Sequence, residues 1–534
     1  MAFHCMNCNG SMVFDVASQK MRCLHCDSTC DPDDFVFRDE SPEAGGQAFV
    51  ADGEMAVFTC QNCGAELEST EDSLIGFCPY CGGQSMVKRV SGSSEVERII
   101  PFQVSKEQCL ELYSNYVRHV RYLPRELRDP EYIKKFTGIY MPFYQYDAEF
   151  DEVYLTGTKT VEHNRRYDVE NTYRIDGTVE ESYERGVTFD GSKYLDDEIS
   201  ARVLPFDHSK ERPFNPGYLS GFYADATSVP PELYLEDARV RAEEDIVNAM
   251  GDELHRTSGI SMGSTSSVHT VVTGHHSMLL PMWFLTWRKD DRVAYAVING
   301  ESGEVVSDMP LDLRSFAFGC VIISAVLFVI MELLFQPTPM ATSIVSLVAA
   351  LLMAYGIRLG AKREYEQQVH AYDKGWGGGD GTPVEKEVAK VRRRKRVEAK
   401  GAKRVGEVLS IVFFMLFCTM TLGMTIMSSS TGSSLLKLAL PMAVLIYAIV
   451  VCVRILKWRK YIGRLDPVVA IFVLLATVVL NSAIVLISPV NDGWYYIGDA
   501  VCIVGLAVSA VGMLRTYNVS TTRPLPKLFD REEV

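Results

Sequence analysis

Eight cysteines form two sets with identical spacing near the start of the chain. The first set is Cys5, Cys8, Cys23 and Cys26, and the second is Cys60, Cys63, Cys78 and Cys81. In each set two Cys-x-x-Cys turns are separated by a stretch long enough for a β-hairpin, which brings the turns face to face. Four thiolates arranged in this way close a tetrahedral shell around Zn²⁺ at about 2.3 Å. The sequence therefore predicts two zinc ribbons, each with one structural ion.

The residues that follow the turns bear on how well each ribbon forms. Gly64 and Gly82 let the backbone turn freely in the second set, whereas Asn9 and Asp27 replace them in the first and also tolerate a left-handed backbone. Alternative ligands near the first set are His4, His25 and Cys30. A closed four-thiolate shell leaves no position for water or substrate, so the pattern disfavours catalysis at the metal. Thiol redox chemistry is an alternative use of the same motif.

Charge argues against nucleic acid as the partner. The chain has a net charge of −15, and residues 1–97 contain five Lys and Arg against sixteen Asp and Glu. Binding to phosphates requires Lys and Arg that displace counterions. We therefore expect the cysteine modules to contact a protein, with nucleic-acid binding as a weaker alternative.

Long apolar runs dominate the last 220 or so residues, at lengths near the roughly 20 residues that span a bilayer. They cover residues 315–335, 340–356, 408–427, 435–453, 467–487 and 494–514. Lys and Arg concentrate in alternate connections, as cytoplasmic loops do. These features predict a six-helix transmembrane domain in a multi-pass protein of the cell membrane, with both termini and the first 300 or so residues in the cytoplasm.

Two further features of this region suggest functions. A basic segment that begins at Lys390 and ends at Arg404 is predicted to be helical and to contact anionic lipid, at about 1 kcal/mol per basic residue near the surface; enforcing topology is the alternative. Polar residues within the runs are Glu332, Lys437, Asn481 and Asp499. Intramembrane charges mark functional sites by default, but these lie near the predicted outer ends, which favours an interfacial or packing role over transport.

The region between the cysteines and the apolar runs predicts an α+β domain. Ser105 followed by Gln108 is a capping box that starts one helix, and a second helix is expected at residues 233–254. Alternating apolar runs indicate antiparallel strands, with a hairpin at "RKDD" and a turn at Asn299 and Gly300. The predicted domains are residues 1–45, 46–97, 98–312 and 313–516, the last with a basic cytoplasmic loop at 357–407, followed by a tail at 517–534.

Known catalytic motifs are missing from the sequence. It contains no phosphate loop, no zincin helix and no nucleophile elbow. His275 and His276 have no carboxylate at helical ligand spacing, so a surface loop is the expected location for them rather than a metal site. We therefore expect a protein that is not an enzyme.

Several quoted stretches together resemble a known group. The cysteine modules, "IIPFQVSKEQCLELYSNYV", "GIYMPFYQYDAEF" and "LLPMWFLTWRKDDRVAYAVINGESGEVV" are similar to uncharacterised bacterial membrane proteins described as transcription-factor-IIB-type zinc-ribbon-containing. The resemblance covers residues 1–310 and carries over the eight ribbon cysteines only. Some members are labelled primosomal replication-restart helicase, which the missing phosphate loop does not support. The resemblance implies a zinc-binding membrane protein, and we expect a scaffold or adaptor; a regulated transporter or channel is the alternative.

Overall fold

The computed structural model describes residues 2–3, 5–10, 12–37, 49–52, 56–60, 65–69, 78–80, 86–90, 96–163, 168–178, 182–225, 227–262, 266–334, 339–368, 466–487 and 489–524. The α-helices are α1 Lys106–Arg118, α2 Pro130–Ile133, α3 Asp197–Val203, α4 Leu235–Ser258, α5 Leu313–Leu334, α6 Pro339–Gln368, α7 Asp466–Ile487 and α8 Gly493–Thr521. The strands are β1 Ala2–Phe3, β2 Met12–Asp15, β3 Lys20–Cys23, β4 Thr29–Cys30, β5 Phe35–Phe37, β6 Phe49–Asp52, β7 Ala56–Cys60, β8 Glu66–Ser69, β9 Met86–Val90, β10 Arg98–Ile99, β11 Thr137–His163, β12 Asp168–Thr178, β13 Ser182–Asp190, β14 Arg212–Pro213, β15 Tyr223–Asp225, β16 Ser261–Met262, β17 Ser267–Lys289, β18 Arg292–Asn299, β19 Val305–Ser307 and β20 Arg523–Pro524.

A large mixed sheet organises the first 310 or so residues. Its central pair is β11 and β17, which run antiparallel with Tyr140 opposite Pro281. The stretches around Pro142 and Pro281 are therefore neighbours in the sheet. The second cysteine module extends this sheet, because β8 pairs with β15 and β7 pairs with β8 and β9.

Side chains alternate between the two faces of a strand, and the two faces of β11 bury different partners. On one face, Tyr140 packs in a core that includes α1 and the first cysteine module. On the other, Met141 and Phe143 pack in a core that includes α3 and the second cysteine module. The two cysteine modules therefore contribute side chains to cores on opposite faces of the sheet.

The local signals in this region predict its elements well. Ser105 accepts a hydrogen bond from the Gln108 backbone N–H while the Gln108 side chain caps Ser105 in return, so the predicted capping box is confirmed. The second predicted helix is α4, which ends at Ser258 and is capped by Gly259 with φ of 67°, a backbone conformation that glycine adopts without strain. The "RKDD" turn joins β17 to β18, with Lys289 paired to Arg292.

Four of the six predicted apolar runs form helices, namely α5, α6, α7 and α8. The runs at 408–427 and 435–453 lie outside the described residues, as do Lys437 and the basic segment from Lys390 to Arg404. Helix α8 contacts α5, α6 and α7, and we call these four helices the bundle. Its buried side chains include small and polar ones, such as Ser346, Asn481 and Asp499.

Among the described residues, fewer helices are able to cross a membrane than the sequence predicts. Within the part of the chain that the structure describes, one helix, α8, is long and apolar enough to cross a membrane; the apolar stretches Leu313–Val326 and Phe472–Val485 are shorter. The predictions of a six-helix transmembrane domain and of a multi-pass location in the cell membrane are therefore wrong. An apolar run of about 20 residues specifies a helix but does not by itself distinguish a span from a helix that packs in a bundle.

Candidate metal centre

The four cysteines of the first set converge at one end of a short hairpin. Strands β2 and β3 pair antiparallel, with Met12 opposite Cys23, so the turn at Cys5 and Cys8 meets the turn at Cys23 and Cys26. All four sulfur atoms lie within 4.8 Å of one another. This part of the sequence prediction is confirmed as a group that can hold a metal ion.

The spacing of the sulfurs fits a small tetrahedral site. Cys5 Sγ lies 3.5 Å from Cys26 Sγ, and Cys8 Sγ lies 3.4 Å from Cys23 Sγ and 3.3 Å from Cys26 Sγ. Four sulfurs at roughly 2.3 Å from a zinc ion would be about 3.8 Å apart. A slight expansion of the group therefore accommodates Zn²⁺, and all four coordination positions are then filled by thiolates.

The backbone around the sulfurs has the turns that such a site requires. Asn9 and Asp27 both have φ of 56°, so these residues adopt the left-handed conformation that glycine provides in other ribbons. Cys5 N–H donates to Gly10 O at 2.8 Å. The His25 N–H points at Cys23 Sγ at 3.4 Å, a contact that favours the thiolate as metal ligand.

Neighbouring groups also favour an ionised sulfur at Cys26. A hydrogen bond with the Ser28 hydroxyl, 3.1 Å from Cys26 Sγ, lowers the pKa of this thiol to about 6, with the Ser28 backbone N–H as the next cause. A lowered pKa means that less work is needed to remove the proton that zinc displaces. Sequence spacing alone gives no sign of this role for Ser28.

Alternative ligands near the first set do not join the group. Cys30 lies on β4 in the apolar core, and burial raises the pKa of its thiol to about 11, with Asp34 as the next cause. Neither Cys30 nor His25 contributes an atom to the sulfur group, and His4 lies outside the described residues. The four cysteines are thus the ligand set that the described part of the first module offers.

The first module is held on the sheet domain by backbone and side-chain hydrogen bonds. Phe14 N–H donates to Ser220 O at 3.0 Å, and the Ser220 hydroxyl donates to Met12 O at 2.6 Å. The Phe14 and Tyr218 rings meet edge to face, with centroids 5.2 Å apart. Gln19 Nε2 reaches Phe102 O at 2.7 Å. The ribbon is therefore a fixed part of the domain surface.

Only half of the second ligand set is described. Cys60 and Cys78 are fully buried, whereas Cys63 and Cys81 lie outside the described residues. Cys60 N–H donates to Ala65 O at 2.8 Å, five residues ahead, as Cys5 does to Gly10. The first cysteine of each module thus makes the same backbone hydrogen bond, and the second zinc ion stays a prediction.

Tyr80 anchors the second module in the sheet domain. Its hydroxyl donates to Asp225 Oδ2 at 2.6 Å, and Ser192 donates to the same oxygen. The carbonyl of Tyr80 accepts a hydrogen bond from the Tyr295 hydroxyl. The Cys78 end of this module is therefore built into the core of the sheet domain, while its contact with a protein partner stays a prediction.

The sequence predicts no metal role for His275 and His276. His275 and His276 belong to β17 and not to a surface loop. His276 Nδ1 is 2.7 Å from Glu97 and its Nε2 is 3.3 Å from Asp147. Asp147 lies on β11 and Glu97 directly precedes β10, so helical spacing could not have found these carboxylates. In the described part of the chain, only the four cysteines have ligand atoms grouped closely enough for a metal.

The polar residues of the predicted apolar runs that the structure describes lie on three helices. Asn481 is fully buried, and its Nδ2 lies 3.4 Å from Gly498 O on α8. Asp499 is also buried in the bundle, and Glu332 lies on α5. The position of Asn481 agrees with a packing role, whereas the transport alternative stays a prediction.

Comparisons with known proteins identify a distant relative. The chain is similar to the uncharacterised protein YdjG of Bacillus subtilis (strain 168), at 25% identity over 321 residues, which cover 58% of this chain and 90% of that protein. No family model matches the chain. No solved structure matches it. The resemblance to zinc-ribbon membrane proteins therefore stays a prediction beyond the four-cysteine group and this distant relative.

Proposed function

We propose that the protein is a non-enzymatic scaffold whose first zinc ribbon binds a protein partner. The observation that carries this proposal is a pair of exposed apolar side chains at the metal centre. Met6 lies between Cys5 and Cys8 and is 54% exposed, and Leu24 lies between Cys23 and Cys26 and is 63% exposed. Each side chain lies on a Cys-x-x-Cys turn whose position a bound metal ion would hold.

The chemistry of the module supports a protein rather than a nucleic acid as the partner. Two apolar side chains presented on rigid turns resemble the anchors that carry most of the binding energy in protein interfaces. The surrounding charge is negative, as Asp27, Asp31, Asp33 and Asp34 follow the second turn, and this repels phosphate. A four-thiolate shell has no open position, so the metal holds the surface and does not react.

The size of the effect can be worked out from the exposure of the two side chains. Complete burial of a Met or Leu contributes about 1.5–3 kcal/mol, and each is already about half buried. Covering both therefore contributes about 2 kcal/mol, or roughly a 30-fold change in Kd.

A capture experiment with matched variants tests the proposal. Wild-type protein and the double variant Met6→Ser/Leu24→Ser are used as baits, and Leu235→Ser serves as control because Leu235 is exposed on α4, away from the metal. We expect a set of proteins that wild type and Leu235→Ser retain and that the double variant loses by at least tenfold. Zinc content must be equal in all three. Equal capture by the double variant contradicts the proposal.

We further propose that α8 attaches this scaffold to a membrane. The support is its length and apolar composition, since about 20 apolar residues suffice to cross the hydrocarbon. We expect the full chain to resist extraction by alkaline carbonate. A variant that lacks residues 493–521 should be extracted. Release of the wild-type chain by carbonate contradicts this part of the proposal and leaves the protein contact untouched.

A further inference from the structure

Exposed arginines cluster where the sheet domain meets α5 and α8. Residues 117–128 contain four arginines and one acidic residue, in a chain that has 68 Asp and Glu against 53 Lys and Arg. These four arginines are exposed, as is Arg314 at the start of α5. Among the residues that the structure describes, none of the five forms an ion pair, so their charges are available to a partner from outside the chain. We call this set the basic collar: Arg118, Arg121, Arg125, Arg128 and Arg314.

The loop that carries four of these arginines is fixed against the first turn of α5. Tyr122 O accepts a hydrogen bond from Asp312 N–H at 2.6 Å, and the Tyr122 and Phe316 rings meet edge to face with centroids 5.5 Å apart. Tyr122 has φ of 60°, a conformation that costs energy in a residue with a side chain and persists where neighbouring contacts hold it. Arg128 donates to Val120 O within the loop. The arginines therefore have a defined position beside the start of α5.

The end of α8 lies at the same place. Asn518 Nδ2 donates to Leu311 O at 2.7 Å, and Leu311 N–H donates to Asn518 Oδ1 at 2.8 Å. Arg292, the first residue of β18, donates to Val519 O at 2.7 Å. Helix α5 therefore leaves the sheet domain beside the point at which α8 returns to it, and the basic collar lies beside this point.

Aromatic side chains mark both ends of the apolar stretch of α8. Trp494 and Tyr496 are exposed in its first turn, and Tyr517 is exposed near its end. Exposed Trp and Tyr at such positions are typical of the two interfaces of a bilayer. The rise from Trp494 to Tyr517 is roughly 34 Å along the helix axis, against about 30 Å for the hydrocarbon of a bilayer. In a membrane that α8 crosses, Tyr517 therefore lies at the level of the headgroups, next to Asn518 and the basic collar.

We propose that the basic collar binds the headgroups of anionic phospholipids, a proposal that rests on the attachment of α8 to a membrane. Each basic residue near an anionic lipid surface strengthens binding roughly fivefold. Arginine suits this ligand because its planar guanidinium forms paired hydrogen bonds with phosphate oxygens. The chain as a whole has a net charge of −15, which an anionic surface repels. The collar therefore also orients the sheet domain, with the side at the start of α5 toward the membrane.

Native mass spectrometry of the full zinc-loaded chain in a neutral detergent tests the proposal. Phosphatidylglycerol and phosphatidylcholine are titrated separately, and the apparent Kd values of the two lipids are compared. Arg121→Gln/Arg125→Gln removes two collar charges, and Arg121→Lys/Arg125→Lys keeps them. Arg241→Gln/Arg256→Gln is the matched control, because both arginines are exposed on α4, which packs on β11, β13, β16 and β17.

We expect wild type to bind phosphatidylglycerol at least tenfold more tightly than phosphatidylcholine, with a preference that falls as salt is added. The glutamine variant should lose at least tenfold in its affinity for phosphatidylglycerol, whereas the lysine variant and the α4 control should bind as wild type does. If the glutamine variant fails to fold, Arg314→Gln replaces it, with a loss of roughly fivefold expected.

Equal binding of the two lipids by wild type overturns the proposal, and so does a folded glutamine variant that keeps the preference. An equal loss in the α4 control also overturns it, because the effect would then follow total charge and not the collar. Carbonate extraction tests α8 separately. A chain that resists carbonate but binds both lipids equally is attached by α8 and has no headgroup site at the collar.

Discussion

Replacement of Tyr80 by Phe tests whether the second cysteine module is a structural part of the sheet domain. The substitution removes one hydroxyl and leaves the ring packing in place. That hydroxyl donates to Asp225 Oδ2 at 2.6 Å in a site closed to solvent. Burial raises the pKa of Tyr80 well above its usual value, with the Asp225 charge as the next cause, so the hydroxyl remains a donor throughout the neutral range.

The expected cost follows from the charge and burial of the acceptor. A hydrogen bond to a charged group contributes about 1.5–3 kcal/mol, and the loss of a donor leaves Asp225 with less compensation for its burial. In a domain of about 200 residues, 1 kcal/mol shifts the melting temperature by about 2–4 °C. Tyr80→Phe should therefore lower the melting temperature of the sheet domain by roughly 3–12 °C.

Thermal unfolding of the full chain, followed by tryptophan fluorescence, measures this shift because Trp283 and Trp287 lie on β17. Tyr173→Phe is the control, since Tyr173 is exposed on β12 and surface changes usually alter stability by less than about 0.5 kcal/mol. Ser192→Ala completes a double-mutant cycle, in which we expect coupling because both hydroxyls donate to Asp225 Oδ2. If Tyr80→Phe and Tyr173→Phe melt within 1 °C of each other, the anchoring role of Tyr80 is refuted.

Three further predictions concern the same framework. Asp312→Ala should destabilise α5 by about 1 kcal/mol, because Asp312 caps Ser315 N–H at 2.9 Å. The Ser315 hydroxyl and then its N–H lower the pKa of Asp312, so this stabilisation should be present above the unfolded pKa and be lost as pH falls through the lower folded value. A denaturation series from pH 7 to pH 2 checks it, and a cost that is equal at both ends contradicts it. Arg523→Met should cost about 3–5 kcal/mol, because it removes the buried cation that pairs with both Asp196 and Asp308; unchanged protease sensitivity of the chain after α8 would count against this. Zinc chelation should lower the melting temperature of the sheet domain, by an amount that grows with the chelator's excess, and an unchanged melting curve would disprove the coupling of ribbon and domain.

The sequence predicts the metal centre because its determinants are local. Two Cys-x-x-Cys turns and a hairpin bring Cys5, Cys8, Cys23 and Cys26 together, and Asn9 and Asp27 take up the left-handed backbone that their position requires. The capping box at Ser105 is local in the same way. In both cases residues that are close in sequence were enough to predict the local structure.

The placement of the modules depends on contacts between distant residues, which one sequence does not reveal. Tyr80 binds Asp225, 145 residues away, and Ser220 binds Met12, 208 residues away. For this reason the sequence does not predict that Tyr80 of the second module packs in the core of the sheet domain. Apolar runs likewise predicted the helices α5 to α8, but not which of them are both long and apolar enough to cross a membrane.

Zinc content is the measurement that tests the central account most directly. Native mass spectrometry compares the intact wild-type chain with Cys8→Ser/Cys26→Ser, whose exposed side chains lie at the tip of the first ribbon. We expect the double variant to bind one zinc ion fewer than wild type and to lose the protein partner that contacts Met6 and Leu24. A wild-type chain without zinc, or a double variant with the same zinc content as wild type, would contradict it.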